Sequence, residues 1–151
     1  MSSKELEIVI RDAEPDDCQA IADLLEELGY PQNTSYPRKK IRALSKRLKD
    51  RILVAQKQDT VVACLSLHIM PLLHKPGNLC RVTALIVAKA ERGKYIGRRL
   101  MEIAETYAQA NDCSLMEITS GEQRTDAHCF YAQLGYKATS KRFIKSLPGR
   151  K

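Results

Sequence analysis

Between Leu85 and Leu100 an apolar run, Leu85-Ile86-Val87-Ala88, empties into Lys89-Ala90-Glu91-Arg92-Gly93-Lys94-Tyr95-Ile96-Gly97-Arg98-Arg99. A strand that opens directly into a helix leaves the first helical N–H groups without intrahelical acceptors, and the peptide dipoles add partial positive charge there. Gly93 and Gly97 let a bound group approach the backbone, while Arg92, Lys94, Arg98 and Arg99 add formal charge. Such a turn suits a phosphate or pyrophosphate. An ordinary strand-to-helix connection with a solvated basic face has the same composition. The spacing is neither that of the P-loop nor that of the Gly-x-Gly-x-x-Gly dinucleotide turn.

A second group of chemically useful residues runs from Thr119 to Tyr136 and includes Phe130-Tyr131 and Gly135-Tyr136. A phenol such as Tyr131 stays protonated at neutral pH and can donate to an atom that is gaining negative charge. Four residues after Ala127, it also reads as a core position with its hydroxyl at the rim.

The pattern around these groups predicts the elements that hold them. Leu6, Ile8 and Ile10 alternate in a strand over Glu5 to Arg11. Pro15, Asp16 and Asp17 open a helix whose stripe is Ile21, Leu24, Leu25 and Leu28, with Gly29 as its stop. Ile41, Leu44 and Leu48 mark a second helix, its other faces basic from Arg38 to Lys49. Strands follow over Arg51 to Gln56, Thr60 to Met70 and Leu79 to Val87, the first two joined at Lys57-Gln58-Asp59. Pro71 to Asn78 is a loop. Ile96, Leu100, Ile103, Ala104, Tyr107 and Ala108 define a helix running to about Asn111. Ser114 to Ser120 is a strand, Ala127 to Leu134 a short helix stopped by Gly135, and Tyr136 to Lys145 the last strand. The order β-α-α-β-β-β-α-β-α-β predicts an α/β fold with a mixed sheet and helices on both faces.

The 151 residues are read as a single domain, 1–151, with a frayed basic tail over 147–151. No apolar run approaches membrane-spanning length and Met1 to Glu7 has no signal-peptide core, so the expected address is the cytoplasm, with no membrane partner. Five cysteines without paired spacing read as reduced thiols in or near the core, not a disulfide frame or zinc site. The net charge of +7 calls for an anionic partner. With no Trp and few aromatics beyond the core, a phosphorylated cofactor explains that charge more simply than nucleic acid.

Arg92-Gly93-Lys94-Tyr95-Ile96-Gly97 resembles the acyl-CoA loop of the GNAT (GCN5-related) N-acetyltransferases, Gln/Arg-x-x-Gly-x-Gly/Ala, and Phe130-Tyr131 to Tyr136 resembles their closing motif. The element order also matches that fold, a sheet splayed at its centre. The resemblance implies acetyl-CoA as co-substrate and direct attack of a primary amine on the thioester, the amine belonging to a small molecule. A lysine or N-terminal acceptor and a non-catalytic acyl-CoA-binding module are the alternatives, and a homodimer is compatible with the family. It also implies backbone contacts from Ile86 and Val87, diphosphate contacts from Arg92, Gly93, Lys94, Tyr95, Gly97 and Arg98, and Tyr131 as the acid for the departing thiolate.

Two positions depart from the pattern. Tyr95 stands where the motif has its first glycine, so the backbone there is right-handed, extended or strained. Residues 79 to 87 hold no Asp or Glu, so the base that many relatives carry on this strand must come from elsewhere, Glu117, Glu122, Asp126, His68 or His74, unless a water chain to bulk or an already neutral amine suffices. Within the family the look is nearest to small-molecule enzymes such as the aminoalkylphosphonate N-acetyltransferases. There His68 and His74 would line the acceptor pocket, or bind a divalent metal. One strand histidine and one loop histidine is the plainer reading, and no metal is assigned.

Overall fold

The computed structural model describes residues 7–30, 35–119, 125–139 and 142–149. Contacts divide the chain into two compact units, Met1–Ser120 and Gly121–Lys151.

The first unit is built on one sheet. β1 (Ile8–Asp12), β2 (Arg51–Lys57), β3 (Thr60–Pro71), β4 (Asn78–Val87) and β5 (Cys113–Ile118) lie side by side in that order. The first four are antiparallel neighbours, and β5 joins β4 in parallel. Pro71 still pairs with Asn78, so the expected 71–78 loop shrinks to a hairpin turn over Leu72 to Gly77.

Side-chain alternation sends neighbouring residues to opposite faces. Val54, Cys64 and Ile86 pack with Cys18, Ile21 and Leu24 of α1 (Cys18–Glu27) and Ile41 of α2 (Ser35–Ser45). Leu53, Leu65 and Leu67 turn the other way, to the face covered by α3 (Ile96–Ala110). Leu100, Met101 and Ala104 of α3 are wholly buried there. Among the described residues no helix is long and apolar enough to cross a membrane.

Pro15–Asp17 forms a single 3-10 turn ahead of α1, held by the Glu14 N–H donating to Asp17 Oδ2 at 2.7 Å. Gly29, at φ +96°, ends the helix as expected. The helix α2 stops sooner than its stripe suggests. Its last turn tightens into i→i−3 bonds, Lys46 N to Ala43 O and Arg47 N to Leu44 O, which breaks the phase of the helix. Leu48, read as part of the buried stripe, is consequently 96% exposed.

The second unit contains α4 (Thr125–Gln133), closed by Leu134 and Tyr136 N–H donating to Tyr131 O, both at 3.0 Å. The strand expected over Tyr136 to Lys145 is not formed among the described residues. Phe143 is 97% exposed. Alternating side chains favour an extended chain, but a strand also needs a neighbour for its N–H and C=O groups. Ser120, Arg150 and Lys151 lie outside the described residues, as do Glu5 and Leu6 at the expected start of β1.

Candidate active site

The basic turn keeps its backbone open. Beyond a short turn over Lys89–Glu91, the first main-chain bond of α3 runs from Arg99 N to Tyr95 O at 3.0 Å. Among the described residues the N–H groups of 93–98 therefore have no backbone acceptor. Gly93 sits at φ +81° with open space where a Cβ would stand. Tyr95 is itself left-handed, φ 66° and ψ 12°, which realises the strained alternative of the sequence reading. Tyr95 is 71% exposed and does not fill the turn.

Side chains brace the turn from three sides. Glu27 Oε1 accepts the Lys89 N–H at 3.0 Å and ties its start to the end of α1. Arg99 Nη1 donates to Ile8 O at 3.2 Å and ties its end to β1. Glu91 takes Lys57 Nζ at 3.1 Å and Lys94 Nζ at 3.5 Å. Lys57 first, and then Lys94, hold the Glu91 carboxyl below the usual range. Arg92 and Arg98 are exposed.

The turn stands at the end of a parted strand pair. β4 and β5 stay in register only as far as Val82 and Ile118, with Thr119 N–H donating to Val82 O at 3.3 Å. Among the described residues, β4 continues from Thr83 to Val87 with β3 alone. Ala88 N donates to Val62 O at 2.9 Å, so the alternation of an antiparallel ladder turns the main-chain groups of Ile86 towards β3 and those of Leu85 and Val87 to the open side. The Ile86 backbone pairs within the sheet and the residue is 3% exposed, while among the described residues Leu85 and Val87 share the free edge. Arg92 Nε already reaches this edge, donating to Val87 O at 3.2 Å.

Where the strands part, β4 carries an extra residue. Ser66 faces Ala84 and Leu67 faces Val82, leaving Thr83 as a bulge. His68 of β3 sits beside it, with Nε2 3.0 Å from Thr83 Oγ1 and 3.5 Å from Ser66 Oγ. The other ring nitrogen, Nδ1, lies 3.3 Å from Oδ2 of Asp50, a carboxylate whose side chain is 6% exposed. Asp50 also accepts the Ile69 N–H at 3.3 Å and pairs with Arg47. The sequence reading did not find Asp50. Its one signal is that it is the sole acid between Leu28 and Gln58, in an otherwise basic run.

The structure does not bring His74 to His68. His74 lies exposed on the hairpin turn beyond the Pro71–Asn78 pair, whereas His68 faces Arg81 well inside the ladder. Among the described residues no three His, Cys, Asp or Glu side chains gather as a metal site would need. Glu117 is occupied by Arg81 across the β4–β5 pair. Glu122, and the side chain of Asp126, lie outside the described residues.

In the second unit Tyr131 is half-buried in a small aromatic group, its ring centroid 5.1 Å from Phe130 and 6.2 Å from Tyr136. The cysteines are free: Cys18, Cys64 and Cys80 are buried, Cys113 is half-buried and Cys129 is exposed, contrary to its expected place in or near the core. Burial pushes the Cys64 and Cys80 thiols up to about 12, far from the thiolate a nucleophile needs.

A family model described as "Acetyltransferase (GNAT) family" matches residues 18–136. An aminoalkylphosphonate N-acetyltransferase of Salmonella typhimurium is 35% identical over 94 residues, which cover 62% of this chain and 61% of that protein. The chain thus matches less than two thirds of that relative's length. An IAA acetyltransferase of Azospirillum brasilense is 30% identical over 126 residues, 78% of this chain and 76% of the relative. A solved aminoglycoside N-acetyltransferase in complex with CoA shares the fold, with a TM-score of 0.84, 99% of this chain and 100% of that one covered, and 10% identity. The match runs from the first residue of α1 to the turn that closes α4, and on that footing this chain belongs to the GNAT family of acetyltransferases.

Proposed function

We propose that this protein transfers an acetyl group from acetyl-CoA to a primary amine of a small molecule. One observation carries the reading. The unpaired amides of 93–98 adjoin the free main-chain edge of Leu85 and Val87. A diphosphate and an extended, amide-bearing arm need both features, joined in that order. The amides and the charges of Arg92, Lys94 and Arg98 would hold the diphosphate, with Gly93, Tyr95 and Gly97 giving it backbone access. Leu85 and Val87 would pair with the arm as a neighbouring strand does. The co-substrate supplies an activated thioester. The chain supplies position, and the free N–H near Val87 supplies polarisation of the thioester oxygen. Tyr131, placed by the closing motif, donates a proton to the departing sulfur. The names of the two relatives, one an aminoalkylphosphonate and one an IAA acetyltransferase, support a small acceptor.

The test is calorimetric titration with CoA, followed by thiol release from acetyl-CoA with three amines: an aminoalkylphosphonate, an aminoglycoside and a lysine peptide. Turnover with either small amine supports the reading. Turnover with the peptide alone assigns a protein acceptor instead. CoA binding without turnover on any of a broad set of amines leaves a binding module, and no CoA binding refutes the site itself.

A further inference from the structure

A primary amine is an ammonium ion at neutral pH, and it must lose a proton before its lone pair can attack a thioester. β4 offers no carboxylate for this task. We propose that His68 is the general base, and that Asp50 is the positioning residue that presents its lone pair to the acceptor. The proposal rests on the acetyl-transfer reading above and names the group that completes it.

Three observations converge. The buried Asp50 carboxylate lies 3.3 Å from Nδ1, an electrostatic contact that favours a proton on Nδ1 and leaves the lone pair of the neutral imidazole on Nε2. In that tautomer Nε2, 3.0 Å from Thr83 Oγ1, accepts from the Thr83 hydroxyl. Thr83 is the bulged residue and the first of β4 beyond the last pair with β5. The base is therefore aimed at the mouth of the open strand edge, where the thioester arm would end. The His68 side chain is 26% exposed, enough for an incoming ammonium to take the place of the Thr83 hydroxyl. The remaining charged groups facing it are Arg81, directly opposite across the β3–β4 pair, Glu117 behind Arg81, and Arg47 behind Asp50.

The step balances. One ammonium proton passes to Nε2 and from there to solvent. The amine lone pair forms the C–N bond, and the C–S bond breaks with its electron pair going to sulfur. The second proton leaves the nitrogen and ends on the sulfur, so the thiol departs neutral.

Asp50→Asn keeps the shape but places a donor where the acceptor was, and favours the wrong tautomer. With the best amine of the panel above, His68→Ala is expected to lower kcat about 10²-fold or more. CoA affinity by calorimetry should stay within about threefold, and Asp50→Asn should lower kcat roughly tenfold or more. Added imidazole should restore at least about tenfold in His68→Ala and do nothing for the native protein, a rescue that a purely structural role does not give. Histidine nitrogen NMR on the CoA-bound protein supplies an arm that needs no turnover. The chain has three histidines, and His68 is assigned by its loss in the variant. Its Nε2 should carry the lone pair in the native protein and lose that preference in Asp50→Asn. An Nε2–H tautomer in the native protein, or His68→Ala with near-native kcat, overturns the proposal. Absence of CoA binding or of turnover by the native protein counts instead against acetyl transfer.

Discussion

Tyr95 holds a backbone conformation that an L side chain adopts at a cost of roughly 1–3 kcal/mol. Its exposed ring makes no evident return for that strain. Tyr95→Gly should therefore stabilise the protein by about 1 kcal/mol in chemical denaturation, the relief being partly offset by a more flexible unfolded chain. CoA affinity should hold or improve, because the amide at that position stays available. A loss of stability would mean that the ring packs on something in solution. Tyr131 poses a cleaner question, since removing one oxygen leaves its aromatic neighbours in place. Tyr131→Phe should lower kcat by about 10²-fold while calorimetry with CoA changes little, and comparable turnover would retire the phenol as acid. Single residues also mark the limit of what the sequence showed. The strand-to-helix turn at Arg92, Gly93 and Gly97 was legible because the signal is local. The Asp50–His68 pair was not, because it exists only once β2 and β3 lie in register.

Elements are where most of the fold could be read in advance. Among the described residues the five strands of the sheet and the four helices sit within a few residues of the positions that periodicity gives them. Two failures have a common cause. The end of α2 and the expected strand after Tyr136 were judged by side-chain spacing, yet hydrogen-bond partners decide both. Lys46 and Arg47 find theirs three residues back and end the helix, while the stretch after Tyr136 has no ladder among the described residues. The bulge at Thr83 was equally invisible, since Val82-Thr83-Ala84 reads as plain strand. Its effect is large, because it puts an extra side chain beside His68 at the place where β4 and β5 part.

At the scale of the whole molecule, stability should carry one clear acid-sensitive component. Arg11 meets both oxygens of Asp17 at 2.9 Å, and Asp17 is 7% exposed. The hydrogen bond from Arg11, followed by that from the Glu14 N–H, holds the Asp17 carboxyl below its ordinary 3.8. A group lowered on folding contributes fully above its unfolded value and loses that contribution as pH falls through the folded one. Arg11→Met should lower stability by about 1.5–3 kcal/mol at neutral pH. In denaturation curves taken at falling pH, the gap to the native protein should narrow below about 4. A gap that does not change with pH would show that the loss comes from packing. Thiol labelling reads the same cooperative unit: Cys129 should react at once, and Cys18, Cys64 and Cys80 only on unfolding. Fast labelling of Cys64 in the native protein would contradict its burial.

The bond from Arg92 to the Val87 carbonyl has one more consequence. A strand that has lost its neighbour is an invitation to any other polypeptide, and proteins guard such borders with charge. Arg92 is placed to be that guard while the edge stands open. Without it, two copies could zip together along β4. Arg92→Ala should scatter more light than the native protein at high concentration, and adding CoA should disperse the associated form by occupying the border first.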